Sequence, residues 1–133
     1  MAIRLKRVTE SDYIFLYDLL SEKKPDQNIS HRTMPTYAQH CVFNRKKPYQ
    51  HDWIIMDGTA RIGRIYVTKN DEVGIHIAEK FRGKTYGSVA LRLVIKRMKR
   101  TLFANIAPKN EASQAFFTKH GFTLIQYTYR HPG

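Results

Sequence analysis

A chain of 133 residues, 42% hydrophobic and 12% aromatic, is long enough for one domain with its own core. Its formal charge of +12 at pH 7 points to anionic partners, whether phosphorylated small molecules, acidic surfaces or nucleic acid, and says nothing of fold. A single cysteine, Cys41, excludes an internal disulfide, and no apolar stretch reaches the length of a signal-peptide core or a membrane span, so the expected setting is cytoplasmic with no membrane partner.

Ala2 to Val8 alternates Ile3 and Leu5 with Arg4 and Lys6 and predicts a first strand. Thr9-Glu10-Ser11-Asp12 is a helix start, with Thr9 or Ser11 as cap, and Ile14, Leu16, Tyr17, Leu19 and Leu20 supply a buried face to about Ser21. Glu22 to Arg32 is polar and reads as a loop. Thr36 to Asn44 predicts a short second helix with Tyr37, Cys41 and Phe43 inward, stopped by Lys46-Lys47-Pro48. Asp52 to Met56, Arg61 to Thr68 and Glu72 to Ile77 are three strands joined by the turn signals Asp57-Gly58 and Asn70-Asp71, an antiparallel meander.

The next stretch organises the rest. In Glu72 to Ile77, Val73, Ile75 and Ile77 point one way and Glu72, Gly74 and His76 the other. Arg82-Gly83-Lys84-Thr85-Tyr86-Gly87-Ser88 follows, and then Leu91, Val94, Ile95 and Met98 recur at helical spacing opposite Arg92, Lys96, Lys99 and Arg100. From Lys80 to Lys109 there are nine Lys or Arg and no acid. A helix start leaves N–H groups without internal partners, glycines let an anion approach the backbone, and Arg82 and Lys84 add charge, so the loop predicts a phosphate or diphosphate site. A dinucleotide fingerprint fails on glycine spacing, and a P-loop fails because Ala78 stands where its first glycine belongs.

Leu102 to Ala107 predicts a strand parallel to Glu72–Ile77, because a crossover helix lies between them. Asn110 caps a further helix with Ala112, Ala115, Phe116 and Lys119 on one face, ended by His120-Gly121. Phe122 to Tyr129 reads as the last strand, with Ile125, Tyr127 and Tyr129 on one side.

Arg82-Gly83-Lys84-Thr85-Tyr86-Gly87 resembles the coenzyme A loop of the GNAT acetyltransferase superfamily, Gln/Arg-x-x-Gly-x-Gly/Ala, with Thr85 where that family usually has glycine. Asn110 to Phe122 is similar to its second signature, Asn-x-x-Ser/Ala-x-x-x-Tyr-x-Lys-x-Gly-Phe: Asn110, Ser113, Lys119, Gly121 and Phe122 match, and Phe117 replaces the tyrosine. The resemblance covers nearly the whole chain. It implies one α/β (α+β) domain over residues 1–133, a twisted mixed sheet of six to seven strands flanked by about four helices and split between two central parallel strands. Acetyl-CoA is the implied co-substrate, with no metal. Its pantetheine would lie along Ile75, His76, Ile77 and Ala78, its diphosphate on Arg82, Gly83, Lys84, Thr85, Tyr86, Gly87 and Ser88, and Asn110 and Phe117 would touch it beyond the split.

The implied reaction is N-acetyl transfer by direct attack of a primary amine on the thioester. The ammonium must first lose a proton, and Glu72 is the expected base, with His76 the weaker candidate. Phe117 has no proton for the leaving thiolate: either the thiolate leaves unassisted, or another group such as Tyr127 or Tyr129 serves, with Tyr127 the named candidate, or catalysis is weak. Residues 22–53 would line the acceptor side, where His31, Arg32, His40, Arg45, Lys46, Lys47 and His51 interleave with Tyr37, Phe43, Tyr49 and Trp53. Charge and rings suit an anionic, flat acceptor. The run His40-Cys41-Val42-Phe43 before a Trp-headed strand looks like amino-sugar acetyltransferases, so a nucleotide-linked amino sugar bound by His40, Phe43 and Trp53 is expected. Two other readings stay open. One is acetylation of a protein N-terminus or lysine. The other, of a different class, is a non-catalytic module of the same fold that binds nucleic acid or an acidic partner. Monomer and homodimer both fit.

Overall fold

The computed structural model describes residues 2–23 and 33–133, so His31 and Arg32 lie outside the described residues. Four antiparallel strands form one sheet in the order β1 (Ile3–Arg7), β2 (His51–Asp57), β3 (Ala60–Val67), β4 (Val73–Ile77). The β2–β3 turn passes through Gly58 at φ +60°, a conformation that Asp-Gly sequences favour. Its register runs from His51 opposite Val67 to Asp57 opposite Ala60, with a bulge between Ile55 and Met56.

Strand alternation sorts the sheet into two faces. Trp53, Ile55, Ile65, Val67 and Val73 face α3 (Tyr86–Met98) and pack with its Tyr86, Ala90, Leu91 and Val94; Phe117 of α4 (Glu111–Lys119) closes this core. Ile54 and Met56 face α1 (Tyr13–Ser21) and pack with Tyr13, Leu16 and Leu19. Helix α2 (Tyr37–Arg45) leans on α1, capped by Thr36, whose hydroxyl accepts from Gln39 N–H at 3.1 Å.

Five expectations need correction. The buried face of α1 is Tyr13, Leu16 and Leu19, while Ile14 is 66% exposed. A 3-10 turn over Glu10–Asp12 precedes α1 and resets its phase. Asp12, fully buried, holds that turn by accepting from Lys6 Nζ (2.6 Å), Arg61 Nε (2.9 Å) and Thr9 N–H (2.9 Å). In α2, His40 and Asn44 turn inward instead of Tyr37 and Phe43, because they join a polar network described below.

The sheet has four strands among the described residues, not six or seven. Leu102–Ala107 meets β4 in a single parallel bridge, Glu72 opposite Phe103: Val73 N–H donates to Phe103 O at 2.7 Å and Phe103 N–H to Asp71 O at 2.9 Å. Beyond Phe103 its side chains pack on the α3 side without a ladder. Phe122–Tyr129 pairs with nothing among the described residues, and Leu124, Ile125, Tyr127 and Tyr129 are exposed. Alternation fixes which side chains share a face; it does not provide an edge to pair with.

Candidate active site

The site begins at the free edge of β4. Thr68 N–H donates to Glu72 O (2.8 Å) and Ala78 N–H to Ile62 O (2.9 Å), so Glu72, Gly74, His76 and Ala78 turn their peptide groups toward β3. By alternation Val73, Ile75 and Ile77 turn theirs outward. Val73 is taken by Phe103, and past that bridge the Ile75 and Ile77 N–H groups have no backbone partner among the described residues. The two segments therefore share a backbone bridge at Glu72–Phe103 and none beyond it among the described residues. Of the four expected pantetheine contacts, Ile75 and Ile77 offer amides to it; those of His76 and Ala78 point the other way.

At the far end of β4 the chain makes a 3-10 turn at Glu79–Phe81 and enters α3. Gly83 sits at φ +76°, where a side chain would be strained. Among the described residues none of the amides of Gly83, Lys84, Thr85, Tyr86, Gly87 and Ser88 donates a hydrogen bond within the protein. Side chains hold this mouth open from behind. The Tyr86 hydroxyl donates to Asp57 Oδ2 at 2.7 Å and pins the helix start to the end of β2. Ser88 Oγ lies 3.0 Å from His120 Nε2, tying α3 to α4. The Phe116 ring lies beside Gly87, where an added Cβ would meet it at 3.4 Å. Thr85 starts the helix without a side-chain capping bond, so its hydroxyl does not occupy the amides. A row of free N–H groups at the positive pole of a helix fits a diphosphate.

Three expected contacts behave differently. Arg82 turns back: its Nε donates to Ile77 O at 3.1 Å and its terminal nitrogen lies 3.1 Å from His76 Nε2, so the guanidinium rests on the end of β4. Asn110 caps α4, accepting from Ser113 N–H at 3.1 Å. Phe117 is buried in the α3-side core between Phe116 and Phe122, at ring distances of 5.2 and 5.1 Å.

Glu72 stands at the bridge to Phe103. Thr68 Oγ1 donates to its Oε1 at 3.0 Å and Asn105 Nδ2 to its Oε2 at 2.5 Å. His76 points to the same face of β4, hidden from water near Lys23 and Arg82; burial first, then those two charges, push it down to about 4. The Glu22 carboxylate lies 3.9 Å from His76 Nε2 and accepts from Glu79 N–H. A histidine so weakly basic is a poor proton acceptor at neutral pH. Tyr127 is exposed on the unpaired tail, its ring 6.5 Å from that of Tyr129.

The proposed acceptor contacts scatter. Trp53 faces α3, with Arg97 over its ring at 5.5 Å and His51 stacked on it, so it belongs to the opposite side of the sheet. His40 is buried among Tyr13, Tyr17 and Tyr37, its Nε2 3.1 Å from Asn44 Nδ2. Phe43 is partly exposed against Tyr49. What does occupy the α1–α2 face of the sheet is Arg64. It makes a bidentate pair with Asp52 (2.9 and 2.6 Å), donates to Asn44 Oδ1 (3.0 Å), and lies over the stacked rings of Tyr49 and Tyr66. Burial pushes the Tyr49 hydroxyl up to about 12. Tyr66 in turn covers Gly74 of β4, where an added Cβ would overlap its ring. A signal for this cluster exists in the sequence: Arg64 is a charge in the middle of an apolar strand. Nearer the loop, a hollow of about 450 Å³ beside Ala78 is lined by Phe15, Asp18, Leu19, Glu22, Glu79 and Lys80. No cluster of three or more His, Cys, Asp or Glu able to hold a metal occurs among the described residues, nor is any helix there long and apolar enough to cross a membrane.

A sheet edge bridged at one residue and a helix start with free amides frame a candidate anion-binding cleft. Residues 2–123 match the family described as the acetyltransferase (GNAT) domain, and the chain belongs to that family of acyltransferases. No curated protein matches it. Among solved structures it is similar to an acetyltransferase from Thermus thermophilus (17% identity, TM-score 0.78, covering 95% of this chain and 90% of the other). It is also similar to a domain from Methanocaldococcus jannaschii (21%, 0.79, 95% and 91%). A third is spermidine N-acetyltransferase SpeG of Vibrio cholerae in a mutant form (13%, 0.74, 92% and 80%). At such identities these likenesses concern the fold.

Proposed function

We propose that the domain moves an acetyl group from acetyl-CoA to the primary amine of a small molecule by direct attack on the thioester. The observation that carries this is two sets of amides without backbone partners among the described residues, Ile75 and Ile77 on the outer edge of β4 and Gly83 to Ser88 at the start of α3. When bound, acetyl-CoA supplies an activated acyl carbon. The amides of Gly83 to Ser88 hold its diphosphate, and Lys84 adds charge. The Ile75 and Ile77 N–H groups bind within the split, and a donor there stabilises negative charge developing on the acyl oxygen. Glu72, held in place by Thr68 and Asn105, takes the proton of the incoming ammonium. Tyr127 remains the proposed donor to the thiolate, and it can act only with the tail brought to the sheet.

The acceptor reading shifts from the expected anionic amino sugar to a cationic amine. Arg64 is already neutralised by Asp52, so it offers no unpaired charge to an anionic acceptor. The spermidine acetyltransferase among the structural neighbours supports the same class. The test is thiol release from acetyl-CoA with spermidine, a nucleotide-linked amino sugar and an N-terminal peptide offered in parallel. Spermidine is expected to turn over best. Glu72→Gln is expected to slow turnover by about 100-fold, within the range for loss of a general base, with acetyl-CoA affinity retained. Unchanged turnover in that variant removes Glu72 from the mechanism, and no thermal stabilisation of the wild type by acetyl-CoA removes the transferase reading.

A further inference from the structure

The last turn of α1 is fastened to the junction between β4 and α3. Glu22 Oε1 accepts from Glu79 N–H at 3.0 Å and lies 3.9 Å from His76 Nε2. Lys23 comes next in the chain, its own N–H on Leu20 O at 3.2 Å, so its long, flexible stem starts from this same corner. On the sheet below, His76 and Arg64 are cross-strand partners, in one row with Ile54, which faces α1. The Lys23 amine reaches into that row: its charge bears on His76, and the Arg64 charge bears on it. It makes no ion pair among the described residues.

That position borders the proposed acyl edge. His76 lies between Ile75 and Ile77, the two residues of β4 whose N–H groups face away from β3 without a backbone partner among the described residues. Lys23 therefore comes to β4 from its α1 face at the level of those two amides. An acyl group passes only to an amine that carries a lone pair, and a solvated lysine at neutral pH is almost wholly ammonium. Lys23 differs. The residue is exposed as a whole, but burial around its amine, then the Arg64 charge, hold its ammonium below the usual lysine range. An amine tuned this way is a nucleophile, and being held beside the acyl carbon adds orders of magnitude in rate.

We propose that the domain acetylates itself at Lys23, a modification separate from turnover of the small-molecule amine. The inference rests on the acetyl-transfer reading above. The Lys23 nitrogen bonds to the acyl carbon, the carbon–sulfur bond breaks, and the proton that the nitrogen sheds goes to the departing sulfur. Neutral amine and thioester thus give amide and thiol. The product nitrogen belongs to an amide, neither basic nor a ready leaving group, so the acetyl stays where it is put. The modification removes one of the two cations that press on His76 and leaves an uncharged side chain over β4.

The test incubates the wild type with acetyl-CoA and no other amine, then reads intact mass and a peptide map. A single acetyl on Lys23 is expected, gained about 100-fold faster than on any other lysine and lost both in Lys23→Arg and in urea. Acetyl spread evenly over the lysines, or Lys23 modified as fast in the unfolded chain as in the folded one, overturns the proposal. Thermal stabilisation by acetyl-CoA and thiol release with spermidine are read alongside. If these persist while Lys23 stays unmodified, self-acetylation falls and the transferase reading stands; if they too are absent, both fall together. Lys23→Gln, followed by NMR of the His76 ring, needs no acetyl-CoA. The titration midpoint of that ring is expected to rise from about 4. A midpoint that does not move shows that the amine does not lie over β4, and it overturns the proposal as well.

Discussion

Burial takes His76 out of the range in which histidines usually titrate, and Lys23 and Arg82 push it further, to about 4. The hydrogen bonding agrees: the Arg82 guanidinium donates to Nε2, which needs an unprotonated ring. Because the folded value lies below the unfolded one of about 6.5, the unfolded state binds the extra proton between those limits. Stability from this residue is complete above about pH 6.5 and declines as pH falls toward 4, by an amount on the order of 2–3 kcal/mol. His76→Asn is expected to flatten the urea-midpoint profile in that window while leaving the neutral plateau lower or unchanged. A variant profile as steep as the wild type's between about pH 6.5 and 4 shows that some other group sets the slope. Arg64 illustrates the same residue-scale rule from the opposite side. It stays charged in a half-closed site because Asp52 meets it with two hydrogen bonds and Asn44 and two tyrosine rings complete its surroundings.

Elements approach one another here through particular glycines. An added Cβ at Gly63 would overlap His76 O, a backbone atom that cannot move without breaking the β3–β4 ladder. An added Cβ at Gly74 would meet the Tyr66 ring, which can move but is stacked on Tyr49 at 4.0 Å. Gly63→Ala should therefore cost about 3 kcal/mol or more and Gly74→Ala about 1–2 kcal/mol, as overpacking against fixed and against movable neighbours. Chemical denaturation at neutral pH checks the order; equal losses would mean that the strands can slide apart. The same scale explains what was legible in advance. The β2–β3 hairpin, the short helix after Pro35 and the cap at Asn110 are specified by residues a few positions apart, and all three formed as expected. Leu102–Ala107 and Phe122–Tyr129 have the alternation of strands, but pairing depends on an edge elsewhere, and the first found one bridge and the second none among the described residues. The Arg64 cluster draws on α2, the segment after it, β2 and β3, so the charge within an apolar strand is its local sign and its partners have none. Trp53 lies away from the acceptor side for a related reason: which face of β2 it takes is set by register with β3.

For the whole molecule, the net charge of +12 is unevenly placed. Asp12 pairs with Lys6 and Arg61, Glu10 with Arg45, Asp52 with Arg64 and Asp71 with Arg100. Lys84 at the mouth has no acidic partner among the described residues, nor do Arg92, Lys96 and Lys99 further along the chain, and Lys84 lies within the Gly83 to Ser88 loop itself. A phosphorylated ligand entering the field of that lysine is drawn in over a distance of about one Debye length, roughly 14 Å at 50 mM salt and 5–6 Å at 300 mM. Acetyl-CoA affinity is expected to fall by about tenfold across that range, most of it in the association rate, and Lys84→Ala should shallow the dependence. A nucleic-acid-binding module makes a different prediction. A DNA duplex neutralising six or more phosphates would lose about a thousandfold over a comparable range, and acetyl-CoA would leave that binding untouched. Titrating both ligands at two salt concentrations separates the cases. Steep duplex binding with no measurable acetyl-CoA affinity would assign the basic face to nucleic acid. The expected tenfold effect on acetyl-CoA, with weak duplex binding that acetyl-CoA displaces, assigns the charge to the cleft.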